Sequence, residues 1–293
     1  MPTMKKHATL TLSLLASLTL AACGGGGGSD LATPSTTTNA TAPTAPSAPV
    51  APTPPANSET LPSLINPQSG STAAVGNGVE GIWVDETGTI KHTVFIDSSG
   101  NFTYLYLIAT TVMNELFASI TTNTSNWTMT PGTEFASTFT ASPTTGGSGT
   151  FVPKQLFTGS YAANGGSTSI SLAYDAANAL AVTQASVVGT WAQQGSSMTV
   201  ANDGTVSGTL SYCPVTGTLV LNTPNSNKNL YTMTVTLSPA AGSMCSLTSA
   251  TTYSGNAALV FLPTQVANYY TRTLMYALHS GNTGVAYGQL SKQ

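Results

Sequence analysis

Side chains able to do chemistry are few in this sequence and far apart. Beyond residue 22 there are two histidines, His92 and His279, each inside a run that reads as a strand. A zinc centre needs about three or four ligands, two of them usually close in sequence, so these histidines read as packing or surface residues. A Ser-His-Asp hydrolase would carry its nucleophile on a G-x-S-x-G turn. The nearest approach, Gly146-Gly147-Ser148-Gly149, reads by composition as a flexible loop. No glycine pattern for a dinucleotide or P-loop phosphate site is present, and a β-rich chain lacks the helix N-terminus such a site uses.

Paired carboxylates could make a glycosidase. The candidates Asp85-Glu86, Asp97, Glu115 and Glu134 cannot be matched into a pair by spacing, and they read as exposed turn acids. Tyr161, Tyr253, Tyr269 and Tyr270 suggest an aromatic surface for an apolar or sugar ligand, although tyrosine also packs well in sheets. No catalytic, metal-binding or cofactor-binding set is therefore expected.

The start of the chain speaks about address. Lys5 and Lys6 form a short positive region, and Ala8 to Ala22 is uncharged. That stretch is shorter than the roughly 20 apolar residues a spanning helix requires, and its layout is that of a secretory signal peptide. It ends in Leu20-Ala21-Ala22-Cys23, which resembles the lipobox of bacterial lipoproteins. The resemblance implies cleavage before Cys23, diacylation of its thiol and acylation of the new amino terminus. Residues 1–22 would then be the signal peptide and Cys23 a lipidated (palmitate-type) first residue. Several acyl chains, at about 0.8 kcal/mol per buried methylene, would hold the protein to a membrane stably. Gly24 stands where the family places Asp for inner-membrane retention, which implies the cell outer membrane.

From Gly24 to about residue 75 the chain is five glycines followed by Ala, Pro, Ser and Thr. Such a composition cannot bury enough apolar surface to offset its ordering entropy. Residues 23–75 are thus expected to be a disordered tether, reaching on the order of 100 Å when extended at about 3.1 Å per residue. The remainder, 76–293, carries no uncharged apolar run of about 18 residues or more. From Cys23 on there are five basic side chains, Lys91, Lys154, Lys228, Arg272 and Lys292, against ten acidic ones, a net charge of −5. This argues against nucleic acid or an anionic lipid surface as partner, since both need a basic stripe. Charged residues are only 6% of the chain, against about 25% in a typical domain, so the surface must consist largely of Thr, Ser, Asn and Gly. Cys213 and Cys245, in an oxidising compartment, read as a disulfide closing a loop of about 33 residues, worth roughly 3–4 kcal/mol by chain entropy. The rival reading, a redox pair, lacks a C-x-x-C spacing.

Alternation of period two then gives the fold class. Tyr231, Met233, Val235 and Leu237 point one way and Thr232, Thr234 and Thr236 the other, and similar patterns run through Ile90–Ile96, Phe102–Ile108 and Ile170–Tyr174. These are antiparallel strands with one wet face. Ser98-Ser99-Gly100-Asn101 and Asn202-Asp203-Gly204 are hairpin turns between them. Thr111–Ile120 and Asp175–Val182 read as short helices, the second capped by Asp175.

Gly81-Ile82-Trp83 recurs as Gly189-Thr190-Trp191, each opening a meander. The Gly-x-Trp opening resembles that of lipocalin-like and related small barrels, in which the Trp plugs one end. The pattern from Gly208-Thr209-Leu210 through Cys213, Gly217, Asn229-Leu230-Tyr231, Cys245 and Tyr253-Ser254-Gly255, closing with strands near Thr271–Leu278 and Gly284–Leu290, resembles Cys-pinned repeats of uncharacterised Gram-negative envelope lipoproteins. The expectation is an all-β chain: two consecutive antiparallel units, small barrel or sandwich, spanning 76–182 and 183–293, the second holding the disulfide. The expected function is a lipid-anchored, non-enzymatic lipoprotein presenting β-domains to an envelope or surface partner. The alternative is a binding protein with a small apolar ligand inside a barrel, for which a continuous apolar cavity is required.

Overall fold

The structure, a computed structural model, describes residues 53–293 apart from 88, 110, 138–139, 164, 239–243 and 248–250, with backbone alone at 86–87. Cys23 and the first part of the expected tether lie outside these residues. The chain reaches the body before residue 75: strand β1 (Ser58–Glu59) pairs with Thr271 and Tyr270, and a single helical turn, α1 (Thr72–Val75), follows. No helix among the described residues is long and apolar enough to cross a membrane.

Two closed antiparallel barrels of eight staves follow one another. The first is built from β2 (Gly81–Thr87), β3 (Ile90–Ile96), β4 (Asn101–Ile108), β5 (Thr111–Asn123), β6 (Asn126–Met129), β7 (Thr133–Ala136), β8 (Ala141–Val152), β9 (Leu156–Ala163) and β10 (Gly166–Tyr174). β6 and β7 share one stave, pairing with opposite ends of β5 and both with β8. Two 3₁₀ turns, Ala176–Ala179 and Gln184–Val187, lead on. The second barrel is β11 (Gly189–Gln193), β12 (Ser196–Val200), β13 (Thr205–Leu210), β14 (Cys213–Leu221), β15 (Tyr231–Leu237), β16 (Thr252–Pro263), β17 (Tyr270–His279) and β18 (Val285–Lys292). The meander between neighbours closes through β2 on β10 and β11 on β18.

The Gly-x-Trp repeat does the same work twice. Trp83 and Trp191 are fully buried, and each indole N–H donates to the carbonyl four residues earlier, Val79 at 2.8 Å and Val187 at 2.7 Å. Gly81 and Gly189 have φ of +136° and +116°, a region open to glycine and closed to most side chains. That turn lets the chain entering each barrel fold under its own tryptophan.

Two segments expected to be short helices resolve differently. Thr111–Ile120 lies in strand β5, because Asn114, Leu116, Ala118 and Ile120 line the barrel side while Phe117 faces outward, a period of two. Asp175 does cap a helical turn, accepting from the Ala177 N–H at 2.7 Å, but the turn is 3₁₀ and ends at Ala179. The expected loop at Gly146–Gly149 is also strand, within β8. Its glycines make room: a Cβ on Gly149 would come within 2.7 Å of Trp127 Nε1, and one on the facing Gly159 within 2.4 Å of Trp127 Cζ2. Trp127 thereby lies inside the barrel, stacked on Phe157 at 4.8 Å.

Strands β10 and β15 keep one wet face, as their alternation requires. Strands β3 and β4 do not. Phe95, Leu105, Phe117 and Phe135 on the outside of the first barrel pack with Ala258, Val260, Met275 and Val285 on the outside of the second, forming a third apolar cluster besides the two barrel interiors. Polar staples flank it. Lys228 Nζ meets Glu80 Oε2 at 2.7 Å; Asn229 donates to Ala177 O and Leu259 O; Asn178 bonds both the N–H and the carbonyl of Ile82. The barrels are thus fixed to each other by burial on a second sheet face, a contribution of roughly 25 cal/mol per Å² of apolar surface.

Candidate functional site

One end of the first barrel has a polar interior. Glu134 of β7 accepts from Tyr161 Oη at 2.9 Å and from Asn114 Nδ2 at 3.0 Å, tying the split stave to β9 and β5. His92 Nδ1 and Tyr104 Oη share a hydrogen bond of 2.7 Å, and the His92 ring stacks on Tyr106 at 4.8 Å. Burial lowers the His92 pKa, opposed in part by Asp85 across the strand pair. Burial, with Glu134 nearby, pushes the Tyr104 and Tyr161 hydroxyls far up, so both stay protonated. Glu134, Tyr104 and Tyr161 are each at most 3% exposed. Carboxylate and phenols satisfy one another where no substrate reaches them, which is the geometry of a structural plug.

Among the described residues the second barrel has no such plug. Trp191, Met198, Leu219, Tyr231, Met233 and Leu274 fill it with apolar side chains. In the first, Trp83, Phe102, Trp127 and Phe157 occupy the rest of the interior, with ring centroids 4.8–6.2 Å apart.

Space and polar side chains occur together between the barrels. A cleft of about 420 Å³ is lined by Asp97, Asn101, Thr103, Phe117 and Ser119 on one side and by Asn222, Thr232, Ser254, Asn256 and His279 on the other. Asp97 sits at the β3–β4 turn, where its carboxylate accepts from the backbone N–H groups of Ser99 and Asn101, each at 2.9 Å, and from Asn101 Nδ2 at 2.7 Å. Asn222 Nδ2 approaches Asp97 Oδ2 at 3.4 Å and donates to Thr232 Oγ1 at 2.9 Å; Asn256 Nδ2 donates to Thr103 Oγ1 at 3.3 Å. The Asn222–Asp97 and Asn256–Thr103 bonds cross from one barrel to the other. The His279 imidazole stacks on Phe117 with centroids 4.2 Å apart, and burial lowers its pKa against the opposing effect of the Gly281 carbonyl. Both rings are therefore uncharged near neutral pH.

The residues singled out in the sequence are placed as follows. Cys213 and Cys245 form the disulfide, Cα atoms 4.6 Å apart. Of the acids read as exposed turn groups, three are buried instead, Asp97 and Glu134 at 3% exposure and Glu115 at 1%; Asp85 is half-buried, and the Glu86 side chain lies outside the described residues. Asp97 and Glu134 find hydrogen-bond donors, which is what permits their burial. The four tyrosines do not form one surface, because Tyr161 lies inside the first barrel and Tyr253 inside the second, while Tyr269 and Tyr270 are half-buried. His92 and His279 are on β3 and β17 as expected, and no contact joins them. The sequence marked Asn101 only as a turn residue and Asn256 only as part of a repeat pattern, and nothing in it assigned either, or Asn222, to a cleft. Asn222 and Asn256 stand in segments whose meaning depends on the docking of two barrels.

Comparison of the chain with family models, with curated proteins and with solved structures finds no match.

Proposed function

We propose that the protein is a lipid-anchored, non-enzymatic envelope lipoprotein whose two barrels form one rigid head for interactions at the outer membrane, carried on a tether from a lipidated Cys23. The observation that supports this reading is the filling of both barrel interiors by their own side chains, which leaves the outer faces and the cleft between the barrels as the places for contact. The alternative, an apolar ligand enclosed in a barrel, has less support, because Trp127 and Phe157 in one and Tyr231 and Met233 in the other stand where it would lie.

Protease shaving of intact cells, with detection of the barrel region and a Cys23→Ala version as the unanchored control, tests the proposal. Loss of signal from intact cells, and release of the Cys23→Ala chain from the membrane fraction, are the expected results. A Cys23→Ala chain that stays with the membrane would refute the anchor.

A further inference from the structure

The cleft between the barrels combines features that define a ligand class. Its walls present carboxamides and hydroxyls from both barrels, Asn101, Asn222, Asn256, Thr232, Ser119 and Ser254. Nδ2 of Asn101 donates to Asp97, that of Asn222 to Asp97 and Thr232, and that of Asn256 to Thr103. The amides therefore present mainly their carbonyl oxygens as acceptors, and the Ser119 and Ser254 hydroxyls add groups that can donate or accept, a mixture that suits vicinal hydroxyls. Among the described residues the lining holds no Lys or Arg, so an anionic ligand would find no counter-charge there. Its one carboxylate, Asp97, is already engaged by Ser99, Asn101 and Asn222, so it is not aimed at a cationic ligand. The Phe117–His279 stack adds an aromatic wall of the kind that packs against an apolar ring face. The cleft volume of about 420 Å³ falls within the range of roughly 300–1,000 Å³ typical of small-ligand sites, which favour such positions between domains.

We infer that this cleft binds a neutral, hydroxyl-rich ligand, a short saccharide or the end of a neutral glycan chain. The inference deepens the surface-interaction reading and rests on it. An extended peptide is the less suitable occupant: both sheets close on themselves, so neither barrel offers a free edge for strand addition along its wall. Of the lining residues, Asn256 and Thr103 are nearly buried while Ser254 and Asn101 are exposed at the rim, which gives a site with a closed floor and an open entrance.

The test uses the full chain with Cys23→Ala, purified without detergent, on an array of neutral and acidic glycans and a parallel array of peptides. Retained oligosaccharides are then titrated by calorimetry. Neutral glycans should be retained, and both Ser254→Trp, which fills the entrance, and Asn222→Ala, which removes a wall amide, should weaken binding by about tenfold or more. Thermal melting of each variant separates lost binding from lost fold, and Ser254→Trp at an exposed position is the variant expected to melt as the parent does. Retention of no neutral glycan, retention of peptides or acidic glycans alone, or neutral-glycan binding that Ser254→Trp leaves unchanged would each overturn the proposal. Because the readout is on purified protein, a failed shaving experiment would count against the cellular reading and leave the cleft result standing.

Discussion

Glu115 is placed where a carboxyl is hardest to keep. It lies on β5 between Leu105 of β4 and Phe135 of β7 in register, on the outer face that packs against the second barrel. It is 1% exposed, and among the described residues neither carboxyl oxygen has a hydrogen-bond partner. Tyr276 of the second barrel lies near enough to interact; burial first, and Glu115 in lesser part, pushes its hydroxyl up, and it supplies no positive charge. Desolvation pushes the Glu115 pKa from 4.5 up to about 8.

The folded chain therefore keeps a proton that the unfolded chain releases above 4.5. Stability is unaffected by this group below 4.5, falls as pH rises from 4.5 towards 8, and is lowest above 8. Each pH unit in that window costs about 1.4 kcal/mol, or roughly 4–5 kcal/mol across it, less whatever is recovered as water enters the interface. Urea unfolding of the parent and of Glu115→Gln at pH 5, 6, 7 and 8 isolates the effect. Gln keeps the size and an unpartnered polar head but cannot ionise, so the readout is the pH slope and not the offset. His92 and His279, whose pKa values burial lowers, act in the opposite sense below about 6.5, but equally in both proteins. The Gln variant should gain on the parent by several kcal/mol between pH 5 and pH 8. Parallel pH curves would refute the reasoning, and with it the burial of a neutral carboxyl at the barrel interface.

Two further predictions concern the same architecture. Lys228→Met should destabilise by about 3–5 kcal/mol, because it strands the buried Glu80 carboxylate without its partner; adding Glu80→Gln should restore part of the loss in a double-mutant cycle of urea midpoints. Gly159→Ala should destabilise by about 1–3 kcal/mol, since the new methyl would meet Trp127 Cζ2 and Ser148 O, each at 2.4 Å; a shift in Trp127 fluorescence on the folded protein would accompany it, and an unchanged melting temperature would count against the packing described.

The fold class was legible because barrel strands with one wet face write their orientation in alternate residues, as Tyr231–Leu237 does. The duplication was legible from two residues per half, since Gly and Trp at that spacing serve the strand entry and the indole bond back to the entering chain. The docking of the barrels was harder to read. Thr93-Val94-Phe95-Ile96 and Leu274-Met275-Tyr276-Ala277-Leu278 are buried on both faces, and such a run looks the same whether the second face meets a helix, a sheet or another domain. Burial of Asp97, Glu115 and Glu134 followed from that docking and from the split stave, which are long-range facts. Thr111–Ile120 misled because Glu115 and Leu116 favour a helix locally, and pairing with β4, β6 and β7 overrode that preference.

The comparison of the two barrels also bears on where function lies. Features they share, the glycine turn and the buried tryptophan with its carbonyl acceptor four residues back, are explained by folding alone. The feature peculiar to the first barrel, the Glu134–Tyr161–Asn114 plug, is sealed from solvent and answers to the break between β6 and β7. The disulfide peculiar to the second tethers the start of β14 to the segment after β15. What none of these accounts for is a set of amides and hydroxyls brought together only when one barrel docks on the other. A folding requirement would be served as well by continuing the apolar contact of Phe117 and Met275 through that space. Leaving it open, with Asn222 and Asn256 reaching across, forgoes apolar burial, and occupancy by a polar partner is the reason the geometry offers.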